Sequence, residues 1–384
     1  MRIALVIERF DPARGGRERS TAEIAAGLSR RGHEVTVLCR EAAPGQATFE
    51  VRALAAGGWG RTGKLSGFVE AVGKAAREEG FDVVHATLPV PGAQAYQPRG
   101  GLVPAQAAVS LRRRRGWRRA ATVLTQPLNL HRRRMAQLER EVVGDPSVLC
   151  LPVSEMVARE LLNYYARSSG VRVVFNAVDT PDVPHRQREQ WRGEYRDRIG
   201  AGANSPVFLT VARNFALKGV AETIEAFARW ARAAEAPSGA RLVVVGQEKA
   251  GSYRHLAAAR DVAERVRLLP PSEEVFPWYA AADALVLLSW YDPCSRVVLE
   301  ATRWGIPSIT TAYNGAAEVL AGGAGIVVNS PRHIDAVVAA MAELADPERR
   351  AERCEACRKV ADSLAIDRHV DELLAAYEEH LGKR

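Results

Sequence analysis

Residues 284–311 read ALVLLSWYDPCSRVVLEATRWGIPSITT and contain two apolar runs around an amphipathic one. The runs ALVLLS (284–289) and SITT (308–311) predict buried strands. Between them, residues 294–304 predict a helix that ends at Gly305 and Pro307. A strand, a helix and a strand in this order favour a parallel sheet with helices on its faces.

Two acids, Asp292 and Glu300, lie eight positions apart within this unit. If Pro293 is the first residue of the helix, Asp292 lies at its start, and Glu300 projects from roughly the same face about two turns later. The N–H groups at 294–296 then point out of the helix, where its dipole stabilises an anion. The pattern suits a ligand with a diphosphate and hydroxyls. It is also typical of an ordinary capped helix with Glu300 in solvent.

The same alternation of strands and helices runs through both halves of the chain. Strands are predicted at 1–7, 34–39, 81–87, 148–154 and 171–179, and again at 206–213, 242–246 and 266–270. A polar, Pro-containing segment (180–205) separates the two series. We predict an α/β protein with two Rossmann-like, doubly wound parallel-sheet domains facing a cleft, which is the expected ligand site. The predicted domains are 1–178 and 179–365, with a last helix at 366–384 that packs back on the first domain.

Composition places the chain among globular proteins, since 47% of its 384 residues are hydrophobic and 26% are charged. No apolar run reaches the roughly 18–20 residues that span a bilayer, and the N-terminal run is too short for a signal-peptide core. We therefore expect a cytoplasmic protein. Cys354 and Cys357 form a lone CxxC in a charged stretch, and we interpret them as surface helix residues rather than metal ligands.

The net charge of +8 is concentrated in residues 99–134, which contain ten arginines and no Lys, Asp or Glu. Without this basic arm the net charge is 8 − 10 = −2. Apolar residues alternate with the arginines: Leu111, Trp117, Val123, Leu124, Leu128 and Leu130. A basic, Trp-bearing stretch favours an anionic membrane surface, with nucleic acid as the less favoured rival and a solvated helical face as the third interpretation.

Two glycines follow the first strand of the N-terminal half, and two cations follow the first strand of the C-terminal half. Gly15 and Gly16 allow close backbone approach to a phosphate or sugar, although a simple turn explains them equally well. Arg213 and Lys218 could hold a diphosphate, Arg as a planar fork and Lys as a point charge. The turn-rich residues 89–101 are expected to line the cleft.

Several motifs together resemble the retaining glycosyltransferases of family 4, which have the GT-B fold. The motifs are GGRER (15–19), FNAVD (175–179), ARNFALKG (212–219), the run around Asp292 and Glu300, and YNGAAEVL (313–320). The family has two glutamates in an E-x7-E frame, whereas this chain has D-x7-E. Its N-terminal half is similar to the lipopolysaccharide-core glucosyltransferases of that family, such as those that use UDP-glucose.

The resemblance implies catalytic roles for Arg213 and Lys218 on the leaving diphosphate and for Asp292 on the donor sugar. The implied donor site contains Gly15, Gly16, Arg213, Lys218, Val275, Asp292, Cys294, Ser295, Arg296 and Glu300. Amides of Ser295 and Arg296 would meet the phosphates, Glu300 the ribose, and the nucleobase would pack near 271–275. His85, Gln97 and Arg99 are candidates on the acceptor side. Neither a metal nor another cofactor is implied.

Two residues depart from the family pattern. Asp292 is one methylene shorter than the family's glutamate, and Cys294 stands where the family often has an aromatic residue. The sequence nevertheless predicts retaining, metal-independent sugar transfer from a nucleotide sugar to a cell-envelope glycolipid or lipopolysaccharide core. The alternatives are transfer to a soluble acceptor and a non-catalytic sugar-nucleotide-binding protein whose basic arm binds nucleic acid or a partner.

Overall fold

The computed structural model of the chain describes residues 1–45, 47–114, 116–233, 236–246, 250–272 and 274–382, without the side chain of residue 118. The chain divides into two compact units. Unit 1 contains Met1–Val178 and Ala365–Arg384, and unit 2 contains Asp179–Leu364.

The strands in the described part of the chain are short. They are β1 (Arg2–Val6), β2 (Arg9–Phe10), β3 (Glu34–Cys39), β4 (Glu41–Ala42), β5 (Glu50–Ala53), β6 (Val83–Ala86), β7 (Ala95–Tyr96), β8 (Leu149–Cys150), β9 (Val207–Val211), β10 (Arg241–Val245), β11 (Val266–Leu269), β12 (Ala284–Leu287), β13 (Ser308–Thr311) and β14 (Gly325–Val328).

The α-helices that connect and cover these strands range from four to nineteen residues. They are α1 (Gly16–Arg30), α2 (Gly60–Glu78), α3 (Val103–Arg112), α4 (Gly116–Thr125), α5 (Leu130–Gly144), α6 (Glu155–Tyr165), α7 (His185–Ile199), α8 (Val220–Ala231), α9 (Gly251–Ala259), α10 (Phe276–Ala281), α11 (Arg296–Arg303), α12 (Ala317–Leu320), α13 (Ile334–Ala345), α14 (Pro347–Val360) and α15 (Ile366–Gly382).

Each unit is built on a six-stranded parallel sheet, which confirms the predicted α/β class. The strand orders are β5-β3-β1-β6-β7-β8 in unit 1 and β11-β10-β9-β12-β13-β14 in unit 2. Numbered within its own sheet, each order is 3-2-1-4-5-6, the doubly wound arrangement. The order reverses between β1 and β6 in unit 1 and between β9 and β12 in unit 2. Ligands of such sheets bind beyond the carboxyl ends of the strands at this reversal.

The last helix completes unit 1. Val370, Leu373 and Tyr377 of α15 are fully buried in the same core as Ile3 and Leu5 of β1. Salt bridges fix its outer face, since Arg31 is 2.6 Å from Asp371 and 3.1 Å from Asp367. The core of unit 1 therefore joins the two ends of the chain.

The predicted strand at 171–179 is wrong. Arg172 N–H donates to Cys150 O at 3.0 Å, and Val174 N–H donates to Pro152 O at 3.1 Å, but the segment forms isolated bridges, Val171 with Cys150 of β8 and Val178 with Ala365, instead of a strand. Pro152 has no N–H to donate in return, so the ladder cannot continue. The two-residue strand β8 is shorter than predicted for the same reason.

The polar segment 180–205, which we identified only as the boundary between the two series, contains the helix α7. Only Tyr195, Arg196 and Ile199 of this helix are buried. Arg196 is 3% exposed, and its guanidinium is 3.3 Å from the Asp283 carboxylate. A helix attached through a buried arginine has no apolar stripe to reveal it, so its periodicity is weak.

The CxxC cysteines lie on α14, but only one matches the predicted surface position. Cys354 is half-buried, whereas Cys357 is fully buried and its Sγ lies 3.2 Å from Ala324 O. Burial raises the pKa of the Cys357 thiol to about 12, so it stays protonated at neutral pH. Cys357 is therefore a core residue.

Candidate active site

Two loops meet at the reversal point of the unit 2 sheet. Residues 212–219 follow β9, and residues 288–295 follow β12, and these strands are neighbours in the sheet. The loops are joined directly, because Trp290 N–H donates to Leu217 O at 2.9 Å. The topology thus brings together the two loops that carry the predicted donor-site residues.

Lys218 and Asp292 form an ion pair between these loops. Their side chains are 21% and 12% exposed, so each is mostly buried but open to solvent on one side. Arg213 lies on the first of the two loops and is exposed. Lys218, which we assigned to the diphosphate, and Asp292, which we assigned to the donor sugar, are therefore direct partners.

The loop that carries Lys218 depends on Gly219. This residue has φ +67° and precedes α8. A Cβ atom at this position would lie 2.2 Å from Leu288 O of the neighbouring loop. Glycine is needed here both for the left-handed backbone and for the close approach of the two loops.

The predicted start of the helix after Asp292 is wrong. α11 begins at Arg296 with Ser295 as its N-cap, three residues after Pro293. Asp292 is instead in an isolated bridge with Asn314. Its backbone is paired there, so Asp292 cannot act as the N-cap of the helix.

The amides at the start of α11 differ in their partners. Ser295 N–H donates to Asn314 Oδ1 at 3.1 Å, so this predicted phosphate contact is already engaged. The first amides of any α-helix have no acceptor within the helix, and in α11 these include the amides of Val297 and Val298. Cys294 precedes the N-cap and is buried, with 6% of its surface exposed.

Glu300 lies inside the unit rather than on the surface. It is 5% exposed, its Oε1 is 3.3 Å from the guanidinium of Arg296, and Tyr279 Oη donates to its Oε2 at 3.0 Å. The interpretation of Glu300 as a solvated helix residue is therefore wrong.

The predicted nucleobase contact includes Val275, which is half-buried and precedes α10, the helix that carries Tyr279. Residue 273 of that contact lies outside the described residues.

Gly15 and Gly16 lie at the corresponding point of unit 1, after β1. Gly15 is the N-cap of α1, and Gly16 is its first residue. Gly15 has φ −174°, an extended conformation that other residues also adopt. The pair therefore forms a helix start, with exposed amides, rather than a flexible loop.

His85 and Gln97 are 1% and 0% exposed, so neither side chain reaches solvent. His85 Nδ1 pairs with Tyr377 Oη, and burial, aided by the charge of Arg99, lowers the pKa of His85 to about 3. Arg99 is half-buried, and it donates to Gln97 Oε1 at 2.7 Å and to Asn176 Oδ1 at 2.5 Å. Of the three acceptor-side candidates, only Arg99 has a side chain that reaches the surface.

The three helices α3, α4 and the start of α5 contain most of the basic arm. Trp117, Leu124 and Leu128 are about three-quarters exposed, at 75%, 76% and 75%. Trp117 and Leu124 are seven positions apart in α4, which places them on one face. Arg115 and the side chain of Arg118 lie outside the described residues. Apolar and cationic groups therefore share one surface of unit 1.

In the described ranges, no three His, Cys, Asp or Glu residues are grouped as metal ligands would be. The described helices also include none with the length and apolar character of a membrane span.

We did not predict the hydrogen bonds that Asn314 and Tyr279 make to residues of the donor site. Both residues are buried, at 1% and 0% exposure, and both bond to residues of the predicted site. Asn314 stands in the motif YNGAAEVL, three residues after the end of the strand β13. A polar residue just beyond the carboxyl end of a parallel strand is a signal that could have identified it.

Two family models match the chain and together span most of it. The Glycosyltransferase Family 4 model matches residues 14–181, and the model for Glycosyl transferases group 1 matches residues 192–361. The chain is therefore similar to glycosyltransferases over both of its halves.

Individual glycosyltransferases match part of the chain. Lipopolysaccharide glucosyltransferase WaaG of Escherichia coli K12 is 32% identical over 142 residues, which are 36% of this chain and 36% of that protein. D-inositol 3-phosphate glycosyltransferase of Xylanimonas cellulosilytica is 27% identical over 258 residues, which are 64% of this chain and 60% of that protein. The chain thus spans less than two thirds of the length of either relative.

Solved structures match the whole fold. WaaG, a glycosyltransferase involved in lipopolysaccharide biosynthesis, has a TM-score of 0.80 at 22% identity, over 97% of this chain and 98% of that one. Anabaena HepE in complex with UDP-glucose has a TM-score of 0.70 at 18% identity, over 98% of this chain and 100% of that one. The chain therefore has the predicted GT-B fold.

Proposed function

We propose that this protein transfers a sugar from a nucleoside diphosphate sugar to an acceptor hydroxyl. The observation that carries the proposal is the pairing of Lys218 with Asp292 across the two loops at the reversal point of the unit 2 sheet. The cation suits a diphosphate and the acid suits sugar hydroxyls. The match to the Glycosyltransferase Family 4 model and the fold shared with HepE in its UDP-glucose complex support the same ligand class.

Catalysis in this proposal is electrostatic. Lys218 and Arg213 stabilise charge on the departing diphosphate, together with the amides at the start of α11. These groups take the place of a metal ion, so the reaction proceeds without one. The sugar is transferred with retention at the anomeric carbon, and the departing phosphate accepts the proton of the acceptor hydroxyl.

The basic arm suggests the acceptor. Exposed Trp117, Leu124 and Leu128 beside arginines suit an anionic bilayer surface. We therefore propose a cell-envelope glycolipid or a lipopolysaccharide core as acceptor, with the protein on the inner face of the cytoplasmic membrane. Similarity to the glucosyltransferase WaaG supports this class of acceptor and glucose as the sugar.

A soluble acceptor is the second candidate. The longer partial match is to a protein named for transfer to D-inositol 3-phosphate. Flotation with vesicles containing anionic lipid separates the two candidates. Binding that weakens as salt is added is expected for the glycolipid acceptor, whereas no binding at low salt favours the soluble one.

Donor binding tests the core of the proposal. Calorimetric titrations with UDP-, GDP-, ADP- and dTDP-sugars in the presence of a chelator should show binding of one nucleotide class, with UDP expected. Glu300→Ala should weaken that binding. Binding of none of the four refutes the transferase proposal, and binding without turnover on any acceptor favours the non-catalytic alternative. The anomeric configuration of the product, determined by NMR, tests retention.

A further inference from the structure

The turn after β13 is bound to the loop that carries Asp292. Thr311 Oγ1 donates to Ser289 O at 2.5 Å. Asp292 N–H donates to Tyr313 O, and Gly315 N–H donates to Asp292 O, both at 2.9 Å. The position of Asp292 is therefore set by a turn that contributes no side chain to the predicted donor site.

Asn314 is at the centre of this turn and is 1% exposed. Its Oδ1 accepts hydrogen bonds from Ser295 N–H and Ala316 N–H, both at 3.1 Å. Its Nδ2 donates to Thr310 Oγ1 at 3.0 Å, and that hydroxyl donates to Leu287 O at 2.8 Å. One side chain thus connects the ends of β12 and β13 to the start of α11.

A carboxamide is suited to this position because one planar group supplies two acceptor sites and a donor. Aspartate would keep the acceptors but lose the donor and add a negative charge at the start of α11. Leucine would have a similar shape but could bond to none of the three partners. Since Asn314 is buried, its side chain acts through the groups that it bonds to, which are Ser295 N–H, Ala316 N–H and the Thr310 hydroxyl.

We infer that Asn314 is a positioning residue for sugar transfer, which holds the Asp292 loop and the start of α11 in register. This inference rests on the proposed function. It also changes the predicted phosphate contacts, because Asn314 occupies the amide of Ser295. The diphosphate then faces the amides of the first helical turn, including those of Val297 and Val298, rather than that of Ser295.

Asn314→Ala and a matched control test the inference. Asn314→Ala removes all three side-chain bonds, whereas Thr310→Val removes the partner of Nδ2 and the bond of that hydroxyl to Leu287 O but leaves both bonds to Oδ1. We expect Asn314→Ala to lower the turnover of the bound nucleotide sugar, measured as nucleotide release, by about 10–100-fold, with a smaller change in its dissociation constant. Thr310→Val should stay within roughly threefold of the wild type. Asn314→Asp should weaken nucleotide binding instead, because it places a negative charge near the diphosphate.

Hydrogen exchange measured by mass spectrometry separates positioning from a general loss of fold. Asn314→Ala should speed exchange in residues 289–298 while the rest of unit 2 keeps the wild-type pattern. Wild-type turnover, equal losses in the two variants, or lower turnover without faster exchange in 289–298 would each overturn the inference. If the wild type binds no nucleotide sugar, the proposed function fails and this inference fails with it, whatever the exchange shows.

Discussion

Lys218 Nζ is bonded to Asp292 Oδ2, and this bond joins the loops that follow β9 and β12. In the proposed function, the donor exchanges one set of interactions for another when it binds. Its diphosphate would take over Lys218, and its sugar hydroxyls would take over Asp292. The two charges that join the loops are then the same charges that hold the ligand.

Asp292→Asn should separate the binding of the nucleotide from the transfer of the sugar. The substitution frees Lys218 from its partner, so we expect UDP to bind as tightly as in the wild type or up to about tenfold more tightly. Turnover of the donor should fall by roughly 10–100-fold because the sugar loses a charged partner. Calorimetry with UDP and a nucleotide-release assay measure the two effects.

Lys218→Ala is the control, since it should weaken UDP binding and turnover together. Weaker UDP binding by Asp292→Asn would contradict the assigned roles.

Glu300 should affect both nucleotide affinity and stability. Glu300→Gln keeps the shape of the side chain and should lower nucleotide affinity by roughly 10-fold, through loss of a charged acceptor for the ribose. Glu300→Ala also removes a carboxylate from the buried guanidinium of Arg296, 3.3 Å away, and should cost about 3–5 kcal/mol of unfolding free energy. Calorimetry and urea denaturation measure the two quantities. Wild-type stability of the Ala variant would show that the buried pair is not stabilising.

The exposed apolar residues of the basic arm should anchor the protein to membranes. We expect Trp117→Ala combined with Leu124→Ala to reduce binding to anionic vesicles by about 10-fold or more, because each side chain loses its burial in the interface. Leu162→Ala, which changes a 52% exposed leucine on α6, should leave vesicle binding unchanged. Flotation measures binding, and donor hydrolysis in solution should be the same in all three proteins. Unchanged flotation of the arm variant would contradict the membrane role.

Glu139 should make unit 1 less stable as pH rises. Burial raises the pKa of Glu139 above 4.5, although Tyr96, Tyr165 and Val103 N–H all donate hydrogen bonds to its carboxyl group. The folded state therefore holds a proton that the unfolded state releases. Its contribution to stability is greatest below pH 4.5 and is lost as pH rises through the folded-state pKa.

Glu139→Gln cannot ionise, so its unfolding free energy relative to wild type should increase as pH rises from 4.5 to neutrality. Urea denaturation at several pH values measures this difference. Glu141→Gln, on the exposed face of the same helix, is the matched control and should show no such trend. A constant difference for Glu139→Gln would refute the assignment.

Gly219→Ala should destabilise unit 2 and displace the loop of Lys218. The left-handed backbone alone costs about 1–3 kcal/mol for a residue with a Cβ, and the contact with Leu288 O adds to this. Gly251→Ala is the control, because its added Cβ meets nothing within 4 Å. Urea denaturation should show a large loss for the first variant and almost none for the second. Equal stability of both would contradict the steric role of Gly219.

The sheet strands with long apolar runs could be predicted because a strand that is buried on both faces is apolar at nearly every position. EVTVLC (34–39) matches β3 in both of its limits. Strand β5 could not be predicted, since its four residues include Glu50 and Arg52 and none is buried. The helix α7 was missed because salt bridges and backbone carbonyls, rather than apolar contacts, hold its buried arginine.

The residue types of the donor site could be predicted from their place after strands, but their partners could not. Lys218 and Asp292 are 74 positions apart, and only the order of strands in the sheet makes them neighbours. Pro293 suggested a helix start, because proline is favoured at the first position of a helix. Hydrogen bonds between Asp292 and the turn of Tyr313 and Gly315 override that preference.

The return of α15 to unit 1 sets an order for folding during synthesis. Unit 2 is one continuous stretch, Asp179–Leu364, whereas unit 1 needs residues from both ends of the chain. Tyr377, which bonds to His85, lies 292 positions after it and is made only after the whole of unit 2. Until α15 has been made, the apolar core of residues 1–178 lacks the helix that covers it. Unit 2 can therefore complete its core before unit 1 does.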